Sequence, residues 1–251
     1  GWYWFGSDGK MYKEAGQKKI NGRYYVFNNH GQMLYEWING VKSTMASNAK
    51  LDGNVSATAS EVRYMNVVEE GWRADGWYQI DGAEALGTDE DTDWYYFKDG
   101  KAKRADEGDK NRTGLDDGGS AVLTKKIKVN GKNFCFNEKG QMQTGLQLIS
   151  GKMYYFDENG YMQTGKVSNV EEENDSFTYY FDTKNGKLGQ GYTGVKSGYL
   201  YWNGKRLEAD DDYRIFVVDQ KEYVVNNKGK VQKSTTKNFA IEGSDNEMKF
   251  T

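Results

Sequence analysis

Gly151-Lys152-Met153-Tyr154-Tyr155-Phe156-Asp157-Glu158-Asn159-Gly160-Tyr161-Met162-Gln163-Thr164-Gly165 decides the fold. The same pattern stands 20 residues earlier, as Gly131-Lys132-Asn133-Phe134-Cys135-Phe136-Asn137-Glu138-Lys139-Gly140-Gln141-Met142-Gln143-Thr144-Gly145. Self-similarity of this length at a fixed spacing is the mark of a repeat architecture. Each copy reads as one β-hairpin. Alternation puts Tyr154 and Phe156 on one face and Tyr155 on the other. Asp157-Glu158-Asn159-Gly160 supplies a turn whose glycine can take positive φ, and Met162 and Thr164 share a face of the returning strand.

Working outward, degenerate copies with an aromatic strand, a polar turn closed by Gly and a second polar strand occupy residues 2–11, 22–33, 94–102, 179–188, 199–207 and 223–231. Thr-Gly recurs at Thr113-Gly114 and Thr193-Gly194, and turn pairs recur at Asn21-Gly22, Asn39-Gly40, Asp81-Gly82, Asn130-Gly131 and Asn203-Gly204. A lone two-stranded hairpin is marginal in water, so each unit must bury its aromatic face against the next. The expected fold is therefore all-β, a solenoid of stacked β-hairpins with repeats of about 20 residues and a few loop insertions. Three parts are expected: amino-terminal hairpin repeats at 1–40, degenerate repeats with insertions at 41–125, and regular hairpin repeats at 126–251, with one continuous solenoid as the alternative. The insertions read as 41–70, which has room for a short helix, the acidic 83–93, and the charged, Gly-rich 105–125.

Composition agrees. Tyr, Trp and Phe make up 15% of the chain and Gly contributes 31 positions, while Pro is absent; such residues suit pleated, half-exposed strands joined by tight turns. A net charge of −3 with both signs interspersed leaves no basic face for nucleic acid. No stretch approaches the roughly 20 apolar residues of a membrane span. Gly1 stands where an initiator Met would be, and Trp2-Tyr3-Trp4-Phe5 resembles mid-repeat sequence, so a trimmed chain is expected, with any export signal or partner domain outside it.

Other motifs point away from chemistry. Gly189-Gln190-Gly191-Tyr192-Thr193-Gly194 matches the dinucleotide fingerprint in letters, but that motif needs a strand before it and a helix after it, and Thr193-Gly194 belongs to the repeat. The runs Asp89-Glu90-Asp91-Thr92-Asp93 and Asp210-Asp211-Asp212 lack the full calcium-loop spacing. His30 reads as an exposed turn residue. Cys135, the single cysteine, reads as a small strand residue. A lone His and a lone Cys far apart give no zinc cluster and no Cys-His pair. A stack of hairpins has no deep pocket to raise a carboxylate pKa for glycoside hydrolysis. No catalytic residue, metal site or cofactor is expected.

Residues 151–165, together with Asp75-Gly76-Trp77-Tyr78-Gln79-Ile80-Asp81-Gly82, resemble the cell-wall-binding repeat superfamily. That superfamily includes choline-binding modules of surface proteins, glucan-binding repeats of glucansucrases and receptor-binding repeats of large clostridial toxins. In choline-binding members the resemblance implies an aromatic cage for a quaternary ammonium, in which a Trp after Thr-Gly joins a first-strand aromatic and a ring of the adjacent hairpin. The matching Trp positions here are Trp37 and Trp77, and the first-strand position falls on Trp2, Tyr24 and Trp94. The best repeats depart from the pattern, with Leu146 and Lys166 after Thr-Gly and Asn133 or Met153 on the first strand, so those hairpins should not form choline cages. Glucan-binding and toxin-type members share Tyr-Tyr-Phe-Asp-x-x-Gly more closely, which implies stacking of sugar rings on exposed aromatics with Asn, Gln and Asp binding hydroxyls.

The expected function is thus a non-catalytic cell-wall- or glycan-binding module that anchors an exported bacterial surface protein by multivalent aromatic contacts. The expected partners are a cell-wall polysaccharide, teichoic acid or glucan, with choline as a further candidate, at an extracellular location on the cell wall or surface. Candidate ligand-binding aromatics are Trp2, Tyr24, Trp37, Trp77, Tyr78, Trp94 and Trp202. The alternatives are a structural spacer or protein-binding adhesin, whose rings would only pack hairpin on hairpin, and the accessory region of a hydrolase.

Overall fold

Tight turns fix where the chain folds back. Asn21-Gly22, Asn130-Gly131, Ser150-Gly151, Ser197-Gly198 and Asn203-Gly204 each hold both residues at positive φ, 48° and 83° at Asn130 and Gly131. This is the type I′ geometry, whose twist matches that of the paired strands it joins. The opposite end of the repeat uses a side-chain clamp. The Asp157 carboxylate accepts hydrogen bonds from the Asn159 and Tyr161 N–H groups, both at 2.9 Å, while the Gly160 N–H donates to the Asp157 carbonyl at 2.8 Å. Asn28, Asn137 and Asn226 clamp their turns in the same way, two and four residues on.

The computed structural model describes residues 1–14, 16–38, 62–83, 86–88, 91–106, 112–115, 121–233, 238–245 and 247–249. Most of the 41–70 insertion, together with Asn39-Gly40 and Asp89-Glu90, lies outside the described residues. Among the described residues there is no α-helix, and the named strands pair antiparallel in small sheets. The chain divides into two compact units, Gly1–Ile127 with Cys135–Gln143, and Lys128–Phe134 with Thr144–Thr251.

In the first unit Gly16–Ile20 pairs with Arg23–Phe27, which also pairs with Met33–Leu34. Trp37–Ile38 pairs with Arg63–Tyr64, and Gly76–Asp81 with Thr92–Lys98, which continues to Lys101–Ala102. Hairpin is tied to hairpin through the backbone: the Arg73 N–H donates to the Tyr24 carbonyl, Ala74 to Tyr64, and Tyr64 to Gly100, all within 2.9 Å. Trp37, Val62, Tyr64, Ala74, Leu86, Tyr95 and Phe97 form its main core. Cys135 is fully buried, and burial pushes its thiol up to about 12 despite hydrogen bonds with Thr124 and the Lys125 backbone. One expectation changes: within 105–125, Arg112–Leu115 and the start of Ala121–Val129 are paired strands. The polar Gly-rich composition that read as a loop there fits a strand pair too, because ladder bonds need only backbone groups.

In the second unit Gly145–Ile149 pairs with Lys152–Phe156, and Gly165–Glu172 with Asp175–Phe181 across a bulge between Val167 and Val170. Tyr199–Trp202 lies between Gly194–Lys196 and Lys205–Arg206, and Tyr213–Val218 pairs with Lys221–Asn226. The links are again backbone bonds: Gly191 N–H to the Met153 carbonyl, Tyr180 to Gly204, Val231 to Gly198 and Glu242 to Tyr213. Its buried side chains form small clusters, one around Val170, Tyr179 and Phe181, one around Leu200, Val218 and Val225, and one around Val224, Phe239 and Ile241. Stacked hairpins, each with a modest apolar seam, are the arrangement the repeat predicts.

Candidate functional site

Alternation along one strand pair of the first unit sorts its rings into two sets. Trp77 lies opposite Tyr96, and Trp94 lies opposite Gln79. Trp77 therefore meets Tyr96 at 5.1 Å between ring centroids and Trp94 at 6.4 Å, the two indoles inclined at 78°. Phe136 stacks on Trp77 at 5.9 Å, and Trp94 remains 41% exposed. The opposite face carries Tyr78, Tyr95 and Phe97 into the core. Trp37 joins them, 7% exposed and within 5.6 Å of the Tyr64, Tyr95 and Phe97 rings. Burial, aided by Glu36, pushes the Tyr64 hydroxyl up to about 12. A cavity of about 300 Å³ lies beside this core, lined in part by Glu36, Trp37, Tyr64 and Asp81.

The second unit carries a larger cleft, about 510 Å³, which four segments build together. Gly191-Tyr192-Thr193 lies along it, Trp202-Asn203 forms a wall, and Lys152, Asp182, Lys187, Gln190 and Asp219 supply charged and amide groups. Trp202 is the last residue of its strand, just before the Asn203-Gly204 turn, and is 60% exposed. The wall is fixed by hydrogen bonds: the Asn203 side-chain carbonyl accepts from the Met153 N–H at 3.0 Å, and the Asn203 N–H donates to the Thr193 hydroxyl at 2.9 Å. Gly191 passes so close that a Cβ there would overlap the Asn203 backbone carbonyl. The cleft joins an exposed indole face to fixed donors and acceptors, the combination that holds a sugar ring: its C–H face against the indole, its hydroxyls against amides and carboxylates.

Of the seven aromatics expected from sequence, the fold brings Trp77 and Trp94 together and places Trp202 on the cleft. Trp37 and Tyr78 pack inside the first unit. Trp2 is 57% exposed near the chain start. Tyr24 lies beneath the Arg73 guanidinium, 4.0 Å from its ring centroid. The sequence does not mark Tyr96, Tyr192 or Phe136 as ligand-binding, although Tyr192 carries a local signal, an aromatic immediately before Thr193-Gly194. Around Gly189–Gly194 the chain forms turns and isolated bridging, without the helix that a dinucleotide site requires. Asp210 pairs with Arg214 at 3.7 Å, and Asp93 accepts from the Gln141 amide at 2.7 Å. Among the described residues no three His, Cys, Asp or Glu side chains converge as a metal site, and no helix is long and apolar enough to cross a membrane.

Comparison with known proteins bears on the same region. Residues 143–191 match the model of the choline-binding repeat family. The match contains one of the two copies first recognised in the sequence, so the resemblance to the cell-wall-binding repeat superfamily holds over that segment. No curated protein matches the chain. Among solved structures, choline binding protein F from Streptococcus pneumoniae, determined in the presence of a peptidoglycan analogue, is similar at 21% identity, with 91% of this chain and 90% of that one covered and a TM-score of 0.33. CbpJ from Streptococcus pneumoniae TIGR4 is similar at 19% identity over 96% and 86% of the two chains, TM-score 0.32. The modular autolysin LytC from Streptococcus pneumoniae is similar at 18% identity over 92% of this chain and 51% of that one, TM-score 0.26.

Proposed function

We propose that the chain is a non-catalytic binding module that holds a wall polysaccharide, teichoic acid or glucan through several weak aromatic contacts, and so anchors an exported bacterial protein at the cell surface. The observation that carries this is Trp202, 60% exposed on a cleft of about 510 Å³ among fixed polar groups. An exposed ring alone is ordinary on a protein surface; what sets Trp202 apart is that it borders a cleft lined by amide and carboxylate groups able to take sugar hydroxyls. A sugar that stacks there also meets Asn203, Gln190 and Asp182. Repetition multiplies modest contacts along one polymer, because each bound repeat raises the effective concentration of the next.

The test is retention and Trp fluorescence with purified wall polysaccharide and α-glucans, comparing wild type with Trp202→Ala. Saturable binding that weakens by roughly tenfold in the variant, the equivalent of one good contact, supports the assignment. Equal retention by both proteins removes Trp202 from it, and no retention of either removes the polymer.

A second reading, a choline contact at Trp77, Trp94 and Tyr96, is favoured by one observation. The indoles stand nearly perpendicular and partly open, a geometry that offers ring faces to one cation. Choline titration monitored by fluorescence, with Trp94→Ala as control, separates it from the sugar contact.

A further inference from the structure

Asn-Gly occurs six times in the chain, at Asn21, Asn39, Asn130, Asn159, Asn185 and Asn203, and Asn39-Gly40 lies outside the described residues. The pair is chemically labile. Glycine has no side chain to shield its N–H, and once that nitrogen loses its proton it can attack the side-chain carbonyl of the asparagine before it. Three of the pairs share one backbone geometry. Asn21, Asn130 and Asn203 stand at φ 48°, 48° and 45°, and the glycines that follow them at 85°, 83° and 96°. The type I′ turn therefore restrains all three alike.

Their surroundings differ. At Asn203 both reacting groups are tied: the Gly204 N–H donates to the Tyr192 carbonyl at 2.9 Å, and the Asn203 side-chain carbonyl accepts from the Met153 N–H at 3.0 Å. The Asn203 N–H is held as well, by the Thr193 hydroxyl at 2.9 Å. Gly204 is buried, and a Cβ on it would stand 3.0 Å from the Tyr179 ring. At Asn21-Gly22 and Asn130-Gly131 both residues are exposed, and a Cβ on either glycine would meet nothing within 4 Å beyond its chain neighbours. Among the described residues, neither the asparagine amide nor the glycine N–H of these two turns has a hydrogen-bond partner. Asn185-Gly186 is exposed and open in the same way. Asn159 follows Asn203, since the Gly160 N–H donates to the Asp157 carbonyl at 2.8 Å.

We infer that Asn21, Asn130 and Asn185 are sites of spontaneous deamidation, and that the fold guards Asn159 and Asn203. At Asn130 the Gly131 nitrogen, its proton taken by solvent hydroxide, bonds to the Asn130 Cγ; the Cγ–Nδ2 bond breaks and the amide nitrogen leaves as ammonia. Water then opens the resulting five-membered succinimide at one carbonyl or the other, giving aspartate or isoaspartate. One water is consumed and one ammonia released, with no change of oxidation state. Isoaspartate runs the main chain through the former side chain, which adds a carbon to a two-residue loop and breaks the geometry a type I′ turn needs. At Asn203 the same attack requires local opening that first separates three hydrogen-bonded partners. The turn that walls the cleft is thus the spared one. The inference goes beyond the polymer contact at Trp202 and does not depend on it.

The test incubates the full folded chain in mildly alkaline buffer, follows each Asn-Gly peptide by mass spectrometry, and counts isoaspartate by enzymatic methylation. Conversion at Asn21 and Asn130 should outpace that at Asn203 by roughly a hundredfold, the scale of three net hydrogen bonds. Asn185 should join the fast set and Asn159 the slow one. In urea the rates should converge, because every pair then has a free glycine N–H. Thr193→Val removes the acceptor of the Asn203 N–H; it should speed conversion at Asn203 by roughly fivefold, the scale of one hydrogen bond, and leave Asn130 unchanged. Matching rates at Asn130 and Asn203 in the folded chain, a difference that persists in urea, or an Asn203 rate unmoved by Thr193→Val overturns the inference. Wall-polymer retention through Trp202 is scored separately on fresh protein, so either conclusion can fail alone.

Discussion

Trp37 and Trp202 belong to the same kind of hairpin protein and end in opposite roles. Trp37 sits on a two-residue strand whose two faces are both covered: Ile38 packs with Val26, Leu34 and Met65, while Trp37 packs with Tyr64, Tyr95 and Phe97. Trp202 closes a strand whose preceding residues, Leu200 and Tyr201, are buried, and the turn that follows leaves its ring in solvent beside the cleft. Residue type did not separate the two. What separates them is whether a second layer of hairpin arrives on the ring's face.

The largest effect expected from this contrast is on stability. Trp37→Ala removes the centre of a packed ring cluster and should cost about 3–5 kcal/mol, as other large-to-small aromatic core changes do, read by urea unfolding with hydrogen exchange to confirm loss in the first unit. A cost near zero would break the comparison. Gly191→Ala comes next: its Cβ would push against the Asn203 backbone, so the cleft should open, with a cost of about 1–3 kcal/mol, typical of overpacking. Sugar binding should fall with it while the first unit keeps its exchange protection.

Titration sharpens the contrast at lower amplitude. The Tyr64 hydroxyl is raised from 10.0 to about 12, so the neutral form is favoured by folding. Its contribution is fully present below pH 10 and is lost as pH climbs toward 12. Tyr179, raised by burial and by its bond to Glu172, adds an alkaline loss in the second unit. Glu172 goes the other way: hydrogen bonding with Lys205 holds its carboxyl below the ordinary 4.5. That contribution is present above the ordinary value and is lost as pH falls through the folded one. Because Glu172 is 38% exposed, solvent screening keeps it small, so Glu172→Gln should cost under about 1 kcal/mol at neutral pH and flatten the acid limb. Urea midpoints across the pH range measure both limbs. The smallest effect belongs to Trp202→Ala, which should leave stability within about 0.5 kcal/mol, as exposed sites do. A larger loss would mean that the ring packs rather than binds.

Much of this was legible because turn chemistry is local. The Asp157-to-Gly160 clamp and the Asn130-Gly131 turn are written in adjacent letters, and so the hairpins could be placed from the 20-residue self-match. Strand alternation also separates Trp77 from Tyr78. Which of the two meets a core depends on Tyr64, Ala74 and Leu86 arriving from other segments, and nothing near Trp77 encodes that. The cleft was hidden for the same reason, since Lys152, Tyr192 and Asp219 are far apart in the chain. Trp202 was found as a lone aromatic; its polar neighbours needed the fold. Within 105–125, composition pointed to a loop where backbone pairing made strands.

The clamped turns also bear on how the protein could change its length. Each Asx-x-x-Gly turn satisfies its donors within four residues, so the turn is fixed locally, while the hairpin's rings need only the hairpin next door. Stability should then accumulate as a chain of neighbour couplings, in the manner of a one-dimensional Ising array. Duplicating or deleting a whole hairpin at a repeat boundary would alter one junction and leave distant ones as they were, making length itself a property that selection can tune in steps.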